Sequence, residues 1–149
     1  MQLAYDRLAS SAGGDRGDVM PYALNRGVRI NYEVEGDGPA LLLLHGTTHC
    51  MEDWREAGYV DALKGYRQLV ILDLRGHGKS DKPHDAAAYD WPVVVNDATS
   101  VLDDRGISSA DVFGYSGGSY VALGMAMSAP GRVQSLIVGG ASNKWPGPE

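Results

Sequence analysis

Ala40-Leu41-Leu42-Leu43-Leu44 runs through five apolar residues with no polar side chain between them, and Gln68-Leu69-Val70-Ile71-Leu72 nearly repeats the pattern. A strand of this kind has no face to turn to water, so it must lie inside a sheet that is covered on both sides. Segments with helical spacing follow each of these runs. Strands that alternate with helices require parallel crossover connections, and the fold class is therefore α/β, a mostly parallel sheet with flanking helices.

The remaining chain fits this frame. Residues 1–19 are polar and glycine-rich without periodicity and read as a loose arm, leaving residues 20–149 as the domain. Tyr22-Ala23-Leu24, a turn at Asn25-Arg26-Gly27, and Val28, Ile30, Tyr32 and Val34 alternating with Arg29, Asn31 and Glu33 predict a hairpin with one buried face. Met51–Lys64 reads as one helix, with Trp54, Ala57, Val60 and Leu63 on one side. A long loop, Asp73–Pro83, follows the second apolar strand. Its Lys79, Asp81 and Lys82 read as solvated charges. A helix from about Asp90 to Gly106 carries Val94, Ala98, Val101 and Leu102, another spans Gly117–Ala129, and a last strand covers Val133–Val138.

The stretch Asp111–Tyr120 carries the chemistry. A short strand runs into Gly114-Tyr115-Ser116-Gly117-Gly118 and then into a helix of small residues, the context of a nucleophile elbow. A serine pinned at so sharp a turn needs neighbours without bulk, which Gly114 and Gly118 provide. Ser116 is the candidate nucleophile. The backbone N–H of Gly117, at the start of the helix, is free to stabilise an oxyanion. The plain alternative is a serine in a glycine-rich turn.

Composition narrows the function classes. A net charge of −6 argues against a nucleic-acid partner. No apolar run approaches the roughly 18 residues of a membrane span, and residues 1–19 lack the pattern of a signal peptide, so a cytoplasmic location is expected. The single cysteine, Cys50, excludes an internal disulfide and a multi-cysteine zinc site. No metal or cofactor is expected. His45 and His49, with Asp53 nearby, lack a spacing that would hold both rings to one metal in a loop. Gly78-Lys79-Ser80 looks like the end of a phosphate loop, but Asp73 stands where its first glycine belongs.

With these motifs in view, the chain resembles the N-terminal part of an α/β-hydrolase from about Pro21 to Ser142. His45-Gly46-Thr47, Asp73-Leu74-Arg75-Gly76-His77-Gly78-Lys79-Ser80 and Gly114-Tyr115-Ser116-Gly117-Gly118 each follow a strand in the family's order. The resemblance implies that the Thr47 N–H shares an oxyanion hole with that of Gly117. It implies that His45 and Gly46 shape this loop, that His77 stands in a structural turn, and that Asp73 and Arg75 hold the long loop. It also implies attack on an ester-like carbonyl of a small-molecule substrate through an acyl-enzyme. A serine at the elbow sets the chain apart from the dehalogenase and epoxide hydrolase branches, which attack with a carboxylate.

Two parts of that machinery have no counterpart here. The family's order is nucleophile, acid, histidine, yet His45, His49, His77 and His84 all precede Ser116, and beyond Gly118 the one acidic residue is Glu149. His49 has two readings, a histidine facing the pocket and, the plainer one, a satisfied or exposed histidine. The expectation is an incomplete α/β-hydrolase fold, truncated or split, whose last strand forms an apolar edge open to self-association or to a complementing chain. The alternative is a non-catalytic hydrolase-fold fragment or interaction protein.

Overall fold

The computed structural model describes residues 21–142, so the expected N-terminal arm lies outside the described residues. Its strands are β1 (Tyr22–Asn25), β2 (Val28–Glu35), β3 (Ala40–Leu44), β4 (Gln68–Leu72), β5 (Ala110–Tyr115) and β6 (Val133–Gly139). Its α-helices are α1 (Asp53–Glu56), α2 (Tyr59–Leu63), α3 (Trp91–Asp104) and α4 (Gly117–Ser128). The strands form one sheet in the order β1-β2-β4-β3-β5-β6. The β1–β2 and β2–β4 pairs are antiparallel; β4–β3, β3–β5 and β5–β6 are parallel.

The two apolar runs are neighbours at the centre of this sheet, with Leu41 opposite Leu69 and Leu44 opposite Leu72. Because successive side chains point to opposite faces, each run feeds two cores. Leu42, Leu44, Val70 and Leu72 pack with Val101, Leu102, Val121 and Met125 under α3 and α4. Leu41, Leu43, Leu69 and Ile71 pack with Met51, Trp54 and Val60 under α1 and α2. The result is a sheet between two helical layers, as unbroken apolar strands require.

The structure corrects the sequence reading at several points. The single helix expected over Met51–Lys64 is two short ones, because Gly58 adopts φ +81° and breaks the backbone between them. The outward face of β2 is not wholly solvated: Asn31 is buried and donates from Nδ2 to Asp73 Oδ2 at 3.0 Å. Asp81 is not merely a solvated charge, since its Oδ2 accepts from the Arg29 backbone N–H at 2.8 Å while Arg29 Nη2 donates to Oδ1 at 3.0 Å. In α3 the buried residues include Val93 and Val95, while Val94 is half-buried. β6 lies at the sheet edge as expected, leaving Ile137 50% and Val138 44% exposed.

One buried charge pair ties the layers together. Asp97 of α3, fully buried, accepts from Arg75 Nε at 2.6 Å and Nη2 at 2.5 Å, and from Asn25 Nδ2 of β1 at 2.7 Å. Arg75 Nη1 also donates to the Ala88 carbonyl at 2.5 Å. Removing one member of a buried pair leaves the other charge without compensation. Asp97→Ala is expected to lower the unfolding free energy by about 3–5 kcal/mol, read from urea denaturation at neutral pH. A loss below about 1 kcal/mol would show that the pair is not structurally required.

Candidate functional site

β5 ends at Tyr115 and α4 begins at Gly117; the residue between them, Ser116, has φ 50° and ψ −116°. A non-glycine residue in such a region costs about 1–3 kcal/mol and persists only where its surroundings hold it. Here the Ser116 N–H donates to the Gly139 carbonyl of β6 at 2.7 Å, and the Ser119 N–H donates to the Ser116 carbonyl at 3.0 Å. The buried Ser119 hydroxyl lies 2.7 Å from the Gly114 carbonyl and 2.8 Å from that of Gly139, sharing its one proton between them. Nothing in the sequence patterning singles out Ser119, although its place three residues after Ser116, directly behind the elbow motif, is the available signal.

The glycines of the motif are sites of backbone contact. A methyl group on Gly114 would sit 2.3 Å from the Gly118 carbonyl oxygen, and one on Gly118 would sit 2.1 Å from the carbonyl oxygen of Leu44. The ends of β3 and β5 and the first turn of α4 therefore touch through their backbones. The loop leaving β3 is brought beside the elbow in the same way: a methyl group on Gly117 would lie 3.0 Å from Thr47 N. Among the described residues, neither the Thr47 nor the Gly117 amide donates a hydrogen bond.

His45 locks the start of this loop. Its Nε2 accepts the Leu74 N–H at 3.0 Å and its Nδ1 lies 2.7 Å from the Gly46 carbonyl, so the proton sits on Nδ1 and the ring is neutral. Burial is the main reason that its pKa lies below the ordinary histidine value; Asp73, whose Oδ1 lies 4.0 Å from Nε2, pulls the other way. His77, 5.2 Å from His45 between ring centroids, directs Nε2 at the Thr47 carbonyl and Nδ1 at the Arg75 carbonyl. Asp73 accepts from the Met51 N–H at 2.9 Å and from the Lys79 N–H at 2.9 Å, fixing the long loop against the loop after β3.

Ser116, Thr47 and Gly117 line one cavity of about 380 Å³ together with His77, Tyr89 and Trp91. A second, of about 290 Å³, adjoins it across Gly46 and is walled by Trp54, Tyr59, Phe113 and Tyr115. Trp54 stacks edge-on with Phe113 and Tyr59 at 4.9 and 5.2 Å. His49 and Asp53 also line this aromatic cavity, joined by a hydrogen bond between Nδ1 and Oδ2. Both readings of His49 describe it in part: it is paired and 44% exposed, and it also lines the aromatic cavity. Cys50 is half-buried with a free thiol. Among the described residues no three His, Cys, Asp or Glu side chains gather at a point that could hold a metal, and no helix is long and apolar enough to cross a membrane.

The buried neutral His45 gives stability a pH dependence. The unfolded chain takes up a proton at this residue as pH falls through the ordinary value of 6.5, whereas the folded chain does so only at lower pH. Its contribution is thus complete above about pH 6.5 and is lost as pH falls toward the depressed folded value. His45→Gln should flatten the decline in unfolding free energy between about pH 7 and pH 5, measured by urea titration at several pH values. An unchanged slope would exclude His45 as its source.

Comparison with known proteins agrees with this architecture. Residues 39–148 match the family model described as the alpha/beta hydrolase fold. The chain is 31% identical over 111 residues to Epoxide hydrolase 3 of Siraitia grosvenorii, covering 74% of this chain and 35% of that protein. It is 34% identical over 117 residues to 2-hydroxymuconate semialdehyde hydrolase of Pseudomonas sp. (strain CF600), covering 78% of this chain and 41% of that protein. A crystal structure of a hydrolase from Pseudomonas aeruginosa PA01 superimposes with a TM-score of 0.80 at 26% identity, over 89% of this chain and 49% of that one. The chain spans well under half the length of these two curated relatives. With strand order, elbow and family model in agreement, the chain belongs to the alpha/beta hydrolase fold family.

Proposed function

We propose that Ser116 is the nucleophile of a hydrolase acting on a small-molecule substrate with an ester-like carbonyl. The hydroxyl oxygen adds to the carbonyl carbon, and the carbonyl electron pair moves onto its oxygen. That oxyanion is held by the N–H groups of Thr47 and Gly117, collapse expels the alcohol, and water then releases the acyl group from the serine. The observation that carries this reading is the conjunction at the elbow: a serine held in a costly conformation beside two amides without partners among the described residues. Amides without protein partners at the start of a helix and in the adjoining loop are free to meet a developing negative charge.

The names of several relatives raise a rival chemistry, epoxide opening. Bond chemistry favours the carbonyl. A carboxylate that opens an epoxide forms an ester, which water can cleave at its carbonyl carbon. A serine that opened the ring would form an ether, which has no carbonyl for water to attack, and turnover would stop after one event. The aromatic cavity beside the elbow suits an apolar acyl or alcohol group. The exposed edge of β6 suits self-association or a complementing chain.

The chain should react covalently with a serine-directed fluorophosphonate, and peptide mapping should place the label on Ser116. Slow turnover of 4-nitrophenyl acetate through the acyl-serine is expected, above the residual of about 10³–10⁴-fold over water that oxyanion stabilisation and binding alone can leave. Ser116→Ala should lose the label and reduce turnover to that residual. Full labelling or unchanged turnover in that variant would overturn the assignment.

A further inference from the structure

We propose that the side-chain hydroxyl of Thr47 is a third oxyanion donor, and that Gly117 is the glycine that makes room for it. This deepens, and rests on, the reading of Ser116 as nucleophile. The glycines of the elbow differ in what a side chain would meet. On Gly114 and Gly118 a methyl group would strike main-chain carbonyl oxygens. Gly117 has no positive φ, and the three atoms nearest to a methyl group there all belong to Thr47. They are its hydroxyl oxygen, deep inside van der Waals contact, its amide nitrogen at 3.0 Å and its Cβ at 3.4 Å. Glycine at this position therefore relieves crowding by one residue, most sharply by that residue's hydroxyl group.

Position places the hydroxyl among the donors. The point at which a Gly117 methyl group would sit lies about 2.5 Å from the Gly117 nitrogen, since both are bonded to the same Cα. The Thr47 amide, the Thr47 hydroxyl and the Gly117 amide thus gather around a single point, and Thr47, Gly117 and Ser116 line one cavity. Among the described residues the Thr47 hydroxyl has no hydrogen-bond partner. The main chain that carries it is held: His77 Nε2 faces the Thr47 carbonyl, and the Gly46 carbonyl accepts the His49 N–H at 3.0 Å. A β-branched side chain on a fixed backbone has few rotamers, so the hydroxyl stays at this point.

A substrate carbonyl oxygen has two lone pairs, which two amides satisfy. When Ser116 Oγ adds to the carbon, the π electron pair moves onto that oxygen, which gains a third lone pair and a negative charge. A third donor therefore finds full use only as the oxyanion forms, and it raises kcat more than it lowers KM. Thr47 transfers no proton. The Ser116 proton passes to water in the cavity, and the departing alkoxide takes a proton from water when the electron pair returns to re-form the carbonyl. Atoms and charge balance with substrate and water alone.

The test measures 4-nitrophenyl acetate turnover and fluorophosphonate labelling rate in the chain and in Thr47→Val, Thr47→Ser, Thr47→Ala, Gly117→Ala, Thr47→Ala with Gly117→Ala, and Ser116→Ala. Thermal melts confirm folding. Thr47→Val keeps the amide and the shape but loses the hydroxyl; kcat and labelling rate should fall about 10²-fold with KM changed less than about three-fold. Thr47→Ser should recover most of that loss. Gly117→Ala should lower kcat in the parent chain and have little further effect on Thr47→Ala, because the hydroxyl it displaces is already gone. Folded Thr47→Val with kcat within about two-fold of the parent, or an equal loss in Thr47→Val and Thr47→Ser, would overturn the role of the hydroxyl and leave the nucleophile standing. Losses that add in the double variant would overturn the role of Gly117. Parent-level turnover in Ser116→Ala, or a parent chain that is neither labelled nor active, would overturn this proposal together with the nucleophile.

Discussion

Backbone-to-backbone contact between the end of β3 and the first turn of α4 is the constraint on which the site depends. The Leu44 and His45 carbonyl oxygens would lie 2.1 and 2.6 Å from any Cβ on Gly118, and the Gly118 carbonyl 2.3 Å from any Cβ on Gly114. Main chain meeting main chain leaves no rotamers to adjust, so the separation between the two loops is fixed by the fold. Ser116 leaves one of these parallel strands and Thr47 the other. Their proximity follows from adjacent strands ending at the same side of the sheet, where open α/β folds present their ligand sites.

Loops anchored only at their strand ends would still be free to drift, and polar groups supply the remaining restraint. His45 reaches from the loop after β3 to the amide of Leu74, Asp73 reaches back to the amide of Met51, and Asn31 of β2 donates to the same carboxylate. His77 closes the circuit at the Thr47 carbonyl. His45, Asp73 and His77 each bond the backbone of the loop opposite their own. Disturbing one therefore shifts the position of several, which is how buried polar networks specify a single arrangement.

The central sheet was legible because its signal is local: apolar at every position means covered on both faces, and β3 and β4 are so covered. The elbow was legible for a similar reason, since strand, glycines and helix all act within ten residues. The broken helix was not, because Trp54, Ala57, Val60 and Leu63 keep helical spacing across Gly58 and the pattern cannot report a positive φ at one residue. Asp97 shows the limit most clearly. Its partners Asn25 and Arg75 lie 72 and 22 residues away, and no periodicity in α3 marks the carboxylate as buried. For His49 the sequence leaves a pocket-facing and a satisfied or exposed reading side by side, because its place beside the elbow is created by strands folding side by side rather than by any spacing along the chain.

The elbow holds its residue by backbone alone, and this bears on how one scaffold can serve different chemistries. The contacts that fix Ser116 are made by its N–H and carbonyl, by the Ser119 hydroxyl and by the neighbouring glycines; its own hydroxyl has no partner among the described residues. A different side chain could stand at this position without altering the surrounding hydrogen bonds. Overall similarity then constrains where the reacting atom sits and says little about the bond it makes. On the proposed reading, the oxygen of Ser116 leads to an acyl intermediate, because that is the adduct of serine that water readily cleaves. On that reading, the identity of one side chain, carried on a backbone indifferent to it, is what separates carbonyl chemistry from epoxide chemistry on the same six strands.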